Sequence, residues 1–281
     1  MKKYQITEKQ ISAYIQQLQQ EEKAQGTLEK YMRDLHAFVR WAETRPVTKQ
    51  LATDWKDYLL ERQYAPITIN SMLAALNGFF HFLGWDAFKV RFLKIQRRVF
   101  RRTDRELSRS DFDRLLKTAQ SRGQERLALL METICSTGIR VSEVRYITVE
   151  AAKLGRAEIS LKGKIRTILL PSKLCSKLLK YAKKTKSASG EIFLTKNGTS
   201  LSRRQIWTEL KRLCAYAGVE PSKVFPHNMR HLFATIYYKA SKDIAQLADM
   251  LGHSSIETTR IYLITSGKAH SRQLERLGIV S

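Results

Sequence analysis

The sequence predicts a mainly α-helical protein with one small antiparallel β-sheet, divided into two domains by a basic linker. Three observations predict this. Apolar residues recur at helical spacing through most of the chain, and one stretch reads as a hairpin. Arginines and lysines crowd between Lys89 and Arg105. With 281 residues, 43% of them hydrophobic, the chain can fill two modest cores.

The first domain, residues 1–88, reads as four helices. Ile11, Tyr14, Ile15 and Leu18 make the first apolar face, and Gly26-Thr27 punctuates it. Thr27 is expected to N-cap a second helix, with Leu28, Tyr31, Met32, Leu35, Phe38 and Val39 on one side. After Pro46 a third face carries Leu51, Trp55, Tyr58 and Leu59. Ala65-Pro66 interrupts, and Met72, Leu76, Phe79, Phe80 and Leu83 make the fourth. Aromatics at this spacing point to a core rather than a stacking platform.

Residues 89–106 form the linker. Lys89, Arg91, Lys94, Arg97, Arg98, Arg101, Arg102 and Arg105 face one acid before Glu106, Asp104. Such a run is either a solvated linker or a strap along phosphates, where each contact releases counterions. The two readings are compatible.

The second domain, 107–281, opens with Ser108 and Asp111, a helix-start pair. A helix from about Gln124 carries Leu127, Leu130, Met131 and Ile134 and stops at Thr137-Gly138. Ile159 and Leu161, a Lys162-Gly163-Lys164 turn, and Ile165 to Leu170 before Pro171 read as the hairpin. Ile192-Phe193-Leu194 with Asn197-Gly198 reads as a short strand and turn. Helices are expected near 203–217, 228–239, 242–251 and 256–264, and a tail helix near 268–281.

Charge narrows the function. The 50 Lys and Arg exceed the 26 Asp and Glu by 24, a self-repelling excess that points to a polyanionic partner, nucleic acid first. Cys135, Cys175 and Cys214 are scattered, which argues against a disulfide framework or zinc site and for a reducing cytoplasm. No apolar run follows the basic start as in a signal peptide, and none nears the ~18 residues of a membrane span.

Four motifs in the second domain carry candidate chemistry: Thr137-Gly138-Ile139-Arg140-Val141-Ser142-Glu143, the hairpin lysines, His227-Asn228-Met229-Arg230-His231, and Leu251-Gly252-His253 with Tyr262 nine residues on. Singly each is weak. A lone arginine usually caps carbonyls, and His227 with His231 lacks the carboxylate or cysteine a metal site needs. Together they are what metal-free phosphoryl transfer requires. Arginine forks meet charge on the non-bridging oxygens, and a tyrosine forms a reversible ester. A phenol is a poor nucleophile at neutral pH, so nearby cations or a basic histidine must favour its ionised form. A mobile lysine can protonate the departing oxygen.

In this order and spacing the motifs resemble the signature of the tyrosine recombinase (phage integrase) family, in particular its compact Xer-like members. The match covers most of 107–264. The resemblance implies a two-domain clamp, a helical core-binding domain joined to a mixed α/β catalytic domain. It implies that Arg140 and Arg230 clamp the scissile phosphate, His227 contributes a proton transfer or a hydrogen bond, and His253 donates to a non-bridging oxygen. Tyr262 would form a 3′-phosphotyrosyl link. Glu143 would brace Arg140, with His231 also in support. Where the family commonly has Gly-Lys-Gly-x-Lys, this chain has Leu161-Lys162-Gly163-Lys164, so Lys162 is the first choice for catalytic lysine and Lys164 the second.

The resemblance further implies double-stranded DNA with a specific site as partner, no cofactor and no metal. It also implies a Holliday-junction pathway in a homotetramer whose C-terminal helices pass between protomers, with an accessory protein or second recombinase possible. Arg97, Arg98, Arg101, Arg102, Lys164, Arg166, Arg203 and Arg204 are the expected DNA contacts, and the nucleoid the expected location. A type IB topoisomerase and a DNA-binding protein without catalysis are the competing readings.

Overall fold

The computed structural model describes residues 4–95, 105–161, 164–260 and 262, with only the backbone at Leu161 and Lys164. The chain divides into two compact units, Met1–Arg97 and Arg98–Ser281, and the division falls outside the described residues. Both units are helical around their own apolar cores, and the second carries one two-stranded sheet.

The first unit has four helices: α1 (Glu8–Gln20), α2 (Gln25–Ala42), α3 (Lys49–Glu61) and α4 (Pro66–Phe82). Thr7 and Gln10 close a capping box on α1, and the Thr48 hydroxyl accepts from the Leu51 amide at the start of α3. Pro66 begins α4 rather than only interrupting α3, because its fixed φ suits a first helical turn that needs no N–H partner. Thr27 is not a cap. Helix α2 starts two residues earlier, and the Thr27 amide already donates to the Ala24 carbonyl at 2.7 Å. The aromatics pack inward: Phe38, Phe79 and Phe80 are fully buried, and Phe38 meets Trp55 edge to face at 5.7 Å.

The unit continues past Phe88, where the sequence places its end. Two asparagines one heptad apart on α4 bind the following segment. Asn77 both donates to the Val90 carbonyl and accepts from the Val90 amide, each at 2.8 Å. Asn70 does the same to Leu93, at 2.9 and 2.8 Å. Seven helical residues rise about 10.5 Å, and three extended residues span about 10 Å, so both contacts fit one straight segment. The expected linker therefore begins as part of the first unit, with Val90 in its core.

The second unit comprises α5 (Arg109–Ser121), α6 (Glu125–Thr137), α7 (Val149–Leu154), β1 (Arg156–Leu161), β2 (Lys164–Leu169), α8 (Ser172–Lys184), α9 (Arg203–Ala217), α10 (Pro226–Ser241), α11 (Ile244–Leu251) and α12 (Ile256–Arg260). Ser108 and Asp111 form the expected capping box of α5. Helix α6 is central and packs against α5, α8 and α10. The strands pair antiparallel from Arg156 opposite Leu169 to Leu161 opposite Lys164, so Lys164 opens β2 instead of lying in the turn. Residues 192–194 contribute one isolated bridge, Leu194 with Ser200, and no extended strand. Lys162 and the tail at 268–281 lie outside the described residues. Among the described residues no helix is long and apolar enough to cross a membrane.

Each asparagine on α4 makes two hydrogen bonds, each with a net value of about 1 kcal/mol. Asn77→Ala is expected to speed amide hydrogen exchange at Val90, and Asn70→Ala at Leu93, with a loss of about 1–3 kcal/mol of first-unit stability in either case. Unchanged exchange would show that these side chains do not hold the segment.

Candidate active site

The site assembles at the C-terminal ends of helices in the second unit. A helix leaves its last carbonyls without intrahelical partners and concentrates partial negative charge there. At the end of α11 three consecutive carbonyls each accept from a different arginine: Met250 from Arg166 at 3.4 Å, Leu251 from Arg230 at 2.7 Å, and Gly252 from Arg140 at 3.2 Å. Arg230, on α10, also donates to the Gly138 carbonyl that follows α6. It thus ties the ends of two helices together.

The glycines of both motifs have steric reasons. Gly138 ends α6 with φ +65°, and a Cβ there would meet the Phe233 ring at 2.4 Å. Gly252 ends α11 with φ +62°, and a Cβ there would meet the Arg166 side chain at 2.5 Å. Only glycine combines the left-handed turn with such close approach.

Glu143 holds the arginines from the other side. It is buried at 3% exposure and accepts from the Arg140 amide at 2.7 Å and guanidinium at 2.8 Å, as well as from Arg166. Burial alone pushes its carboxyl up, but the hydrogen bonds from Arg140 and the charge of Arg166 outweigh this and keep it below the ordinary carboxylate range. Three guanidiniums against one carboxylate leave a positive excess. Arg140, with 41% of its side chain exposed, presents that excess outward. Arg230 is only 3% exposed, and burial and then the neighbouring Arg140 lower its pKa to about 10.

Arg166 sits differently from the expected DNA contact. Its side chain is 15% exposed and joins Glu143 to the end of α11. Arg203 and Arg204 are exposed in the first turn of α9. Arg97, Arg98, Arg101, Arg102 and Lys162 lie outside the described residues, as does the side chain of Lys164.

Tyr262 lies beside the arginines at 5% exposure, surrounded by three imidazoles. His253 stacks on its ring at 5.9 Å, His231 lies at 5.1 Å and His227 at 6.2 Å. Its hydroxyl also interacts electrostatically with Arg230. His253 Nε2 is 3.0 Å from Arg230 Nη2, and its Nδ1 is 2.9 Å from the hydroxyl of fully buried Thr259. Burial, then Arg230 and Arg140, lower the His253 pKa to about 4. His231 is 3.4 Å through Nδ1 from the Thr235 hydroxyl. Asn228, inside the His227–His231 motif, ties the Arg105 carbonyl to α10 at 2.6 Å. Among the described residues no group of three or more His, Cys, Asp or Glu could hold a metal ion.

The sequence thus points to Arg140, Glu143, His227, Arg230, His231, His253 and Tyr262, and the fold brings all seven together. Thr259 and the bracing position of Arg166 are additions from the structure. Arg166 is detectable by strand alternation, since it shares a face of β2 with buried Ile168. Nothing in the Thr258-Thr259 pair marks which hydroxyl turns inward.

Comparison with known proteins decides the family. The phage integrase family model matches residues 105–267, more than half of the chain. The chain belongs to the phage integrase family. It is a tyrosine recombinase, a DNA breaking–rejoining enzyme, and residues 11–86 match the N-terminal SAM-like domain of phage integrases. Tyrosine recombinase XerA of Pyrococcus furiosus is 28% identical over 273 residues, covering 94% of this chain and 92% of the relative. Tyrosine recombinase XerD of Xanthomonas campestris is 28% identical over 269 residues, covering 86% and 83%. In fold, the recombinase is similar to a lambda integrase(75-356) dimer bound to a COC' core site, with a TM-score of 0.71 and 17% identity over 91% of this chain and 94% of that one.

Two outcomes follow for the recombinase. A histidine with a lowered folded pKa binds fewer protons folded than unfolded, so stability is present above the unfolded value of 6.5 and lost as pH falls toward about 4. Thermal melts from pH 7 to 4 are expected to show this slope, and His253→Gln to flatten it. Glu143→Ala strands two arginines and is expected to cost about 3 kcal/mol at neutral pH, measured by denaturant unfolding.

Proposed function

We propose that the recombinase cuts and rejoins DNA at a specific site through Tyr262, with arginine charge in place of a metal ion and with no nucleotide. The arrangement of Tyr262 against Arg230 and three imidazoles, beside the exposed fork of Arg140, carries this reading. A phosphodiester at Arg140 would place its non-bridging oxygens against the positive excess. The Tyr262 oxygen bonds to phosphorus and gives up its proton to a basic neighbour, a role that would fall to His227. The bond from phosphorus to the 5′-oxygen breaks, and Lys162, or failing that Lys164, protonates the departing oxygen. Attack by a 5′-hydroxyl on the 3′-phosphotyrosine reverses every step, so rejoining needs no ATP.

Arg140 and Arg230 bind the phosphate, and His253 donates to one of its oxygens. Glu143, Arg166 and His231 keep these groups in place. Because Tyr262 is buried, it has to be uncovered as DNA enters. Arg203 and Arg204 stand at the start of α9, where a cation costs a few tenths of a kcal/mol against the helix dipole, an arrangement suited to an anionic partner. With Lys164 and the linker residues Arg97, Arg98, Arg101 and Arg102, they would lie on DNA phosphates or bases. Strand exchange would proceed through a Holliday junction in a tetramer, with the segment 268–281 of each protomer docked on the next.

The test is covalent capture on nicked duplexes carrying DNA from around the recombinase's own gene, in EDTA, read on a denaturing gel. The wild type should form an adduct, Tyr262→Phe should bind but form none, and Arg140→Ala should lower the yield by roughly 100-fold or more. An adduct that persists in Tyr262→Phe would overturn the assignment of the nucleophile. Cleavage that EDTA abolishes would overturn the metal-free chemistry.

A further inference from the structure

We infer that Thr259 is a positioning residue whose hydroxyl lets His253 exchange its two tautomers, with Nε2 turned as a lone pair to Arg230 without DNA and as an N–H to phosphate with DNA bound. This rests on the assignment of Arg230, His253 and Tyr262 to phosphoryl transfer.

A guanidinium has donors only, so the 3.0 Å contact from Arg230 requires a lone pair on His253 Nε2. Neutral His253 then carries its proton on Nδ1 and donates it to Thr259 Oγ1 at 2.9 Å. That tautomer is the wrong one for hydrogen bonding to a phosphate oxygen, which accepts only. To act on phosphate as a neutral ring, Nε2 must gain a proton and Nδ1 must lose one. A water proton added at Nε2 gives the imidazolium, and loss of the Nδ1 proton to water during a transient opening of the His253–Thr259 contact restores the neutral ring. In the final state Nδ1 is an acceptor and needs a donor where it had an acceptor.

A hydroxyl meets both demands by rotating about its C–O bond, because it holds one donor and two acceptor sites. A carboxylate or carbonyl at this place would accept only and would fix the Nδ1–H form. Thr259 has no exposure, so water does not readily replace it as a partner. Its backbone also carries the nucleophile: the Tyr262 amide donates to the Thr259 carbonyl at 2.9 Å, within the turn that stacks Tyr262 on His253. One residue thus sets the histidine through its side chain and the tyrosine through its main chain.

The experiment combines covalent capture with nitrogen NMR of ¹⁵N-histidine-labelled full-length protein. Thr259→Val keeps the side-chain shape and removes the hydroxyl, whereas Thr259→Ser keeps the hydroxyl. Thr259→Val should retain DNA affinity and slow adduct formation by roughly 10- to 100-fold, as for loss of one oriented proton donor. Thr259→Ser should restore most of the rate. In a His253→Ala background Thr259→Val should have no further effect. Without DNA, the NMR spectrum should show His253 as the Nδ1–H tautomer in the wild type and move away from it in Thr259→Val.

Equal slowing by Thr259→Val with and without His253 would overturn the inference, as would a wild-type His253 in the Nε2–H form. If the wild type forms no adduct on any DNA, the cleavage reading of Tyr262 fails instead. The NMR comparison of wild type and Thr259→Val still decides the tautomer assignment. If Thr259→Val does not fold, the tautomers of wild type and Thr259→Ser carry the decision.

Discussion

The site depends on the last turn of α11, where the carbonyls of Met250, Leu251 and Gly252 hold Arg166, Arg230 and Arg140 within reach of one another. Three guanidiniums at this spacing repel, and burial penalises Arg166 and Arg230 further. Carbonyl dipoles at a helix end offset part of that cost without cancelling the charge, and Glu143 offsets more. The remaining positive charge has no protein counter-ion among the described side chains of the cluster. Under the proposed function a phosphodiester would supply the missing charge, and the tension in the free site would then also be its affinity for the reacting group.

The same turn explains the arrangement of Tyr262. Gly252 reverses the chain after α11, His253 follows it, and the short α12 leads on to Tyr262. His253 and Tyr262 therefore stack because they stand at the two ends of one compact segment, linked through Thr259. Any substitution that loosens the end of α11 disturbs the arginines, the histidine and the tyrosine together.

Much of this was legible in the sequence. Apolar periodicity marks α6 and α9 to within a residue or two, and Ser108 with Asp111 marks the start of α5, because those signals act locally. The motif residues around Arg140, Arg230, His253 and Tyr262 could be grouped because the chemistry needs their types together. What could not be read depends on long-range partners. Helix α8 hides behind Lys173, Lys177, Lys180, Lys183 and Lys184, although Leu174, Leu178 and Ala182 fill its buried face. Asn70 and Asn77 look like ordinary polar helix residues until the chain returns along α4. Thr27 resembles a cap because threonine suits that place, but the α2 helix closes its first turn earlier through the backbone. Arg166 shares its composition with surface arginines and differs only in which face of β2 it occupies.

The central claim is that this arginine cluster answers the negative charge of one phosphate. The most direct measurement replaces the scissile phosphate with a neutral methylphosphonate and compares covalent capture by wild type and Arg230→Ala. Removing the charge should slow the wild type strongly and the variant little, because the phosphate charge and the arginine act on each other. Equal fold losses in both proteins would contradict the claim and assign the cluster to holding the fold alone.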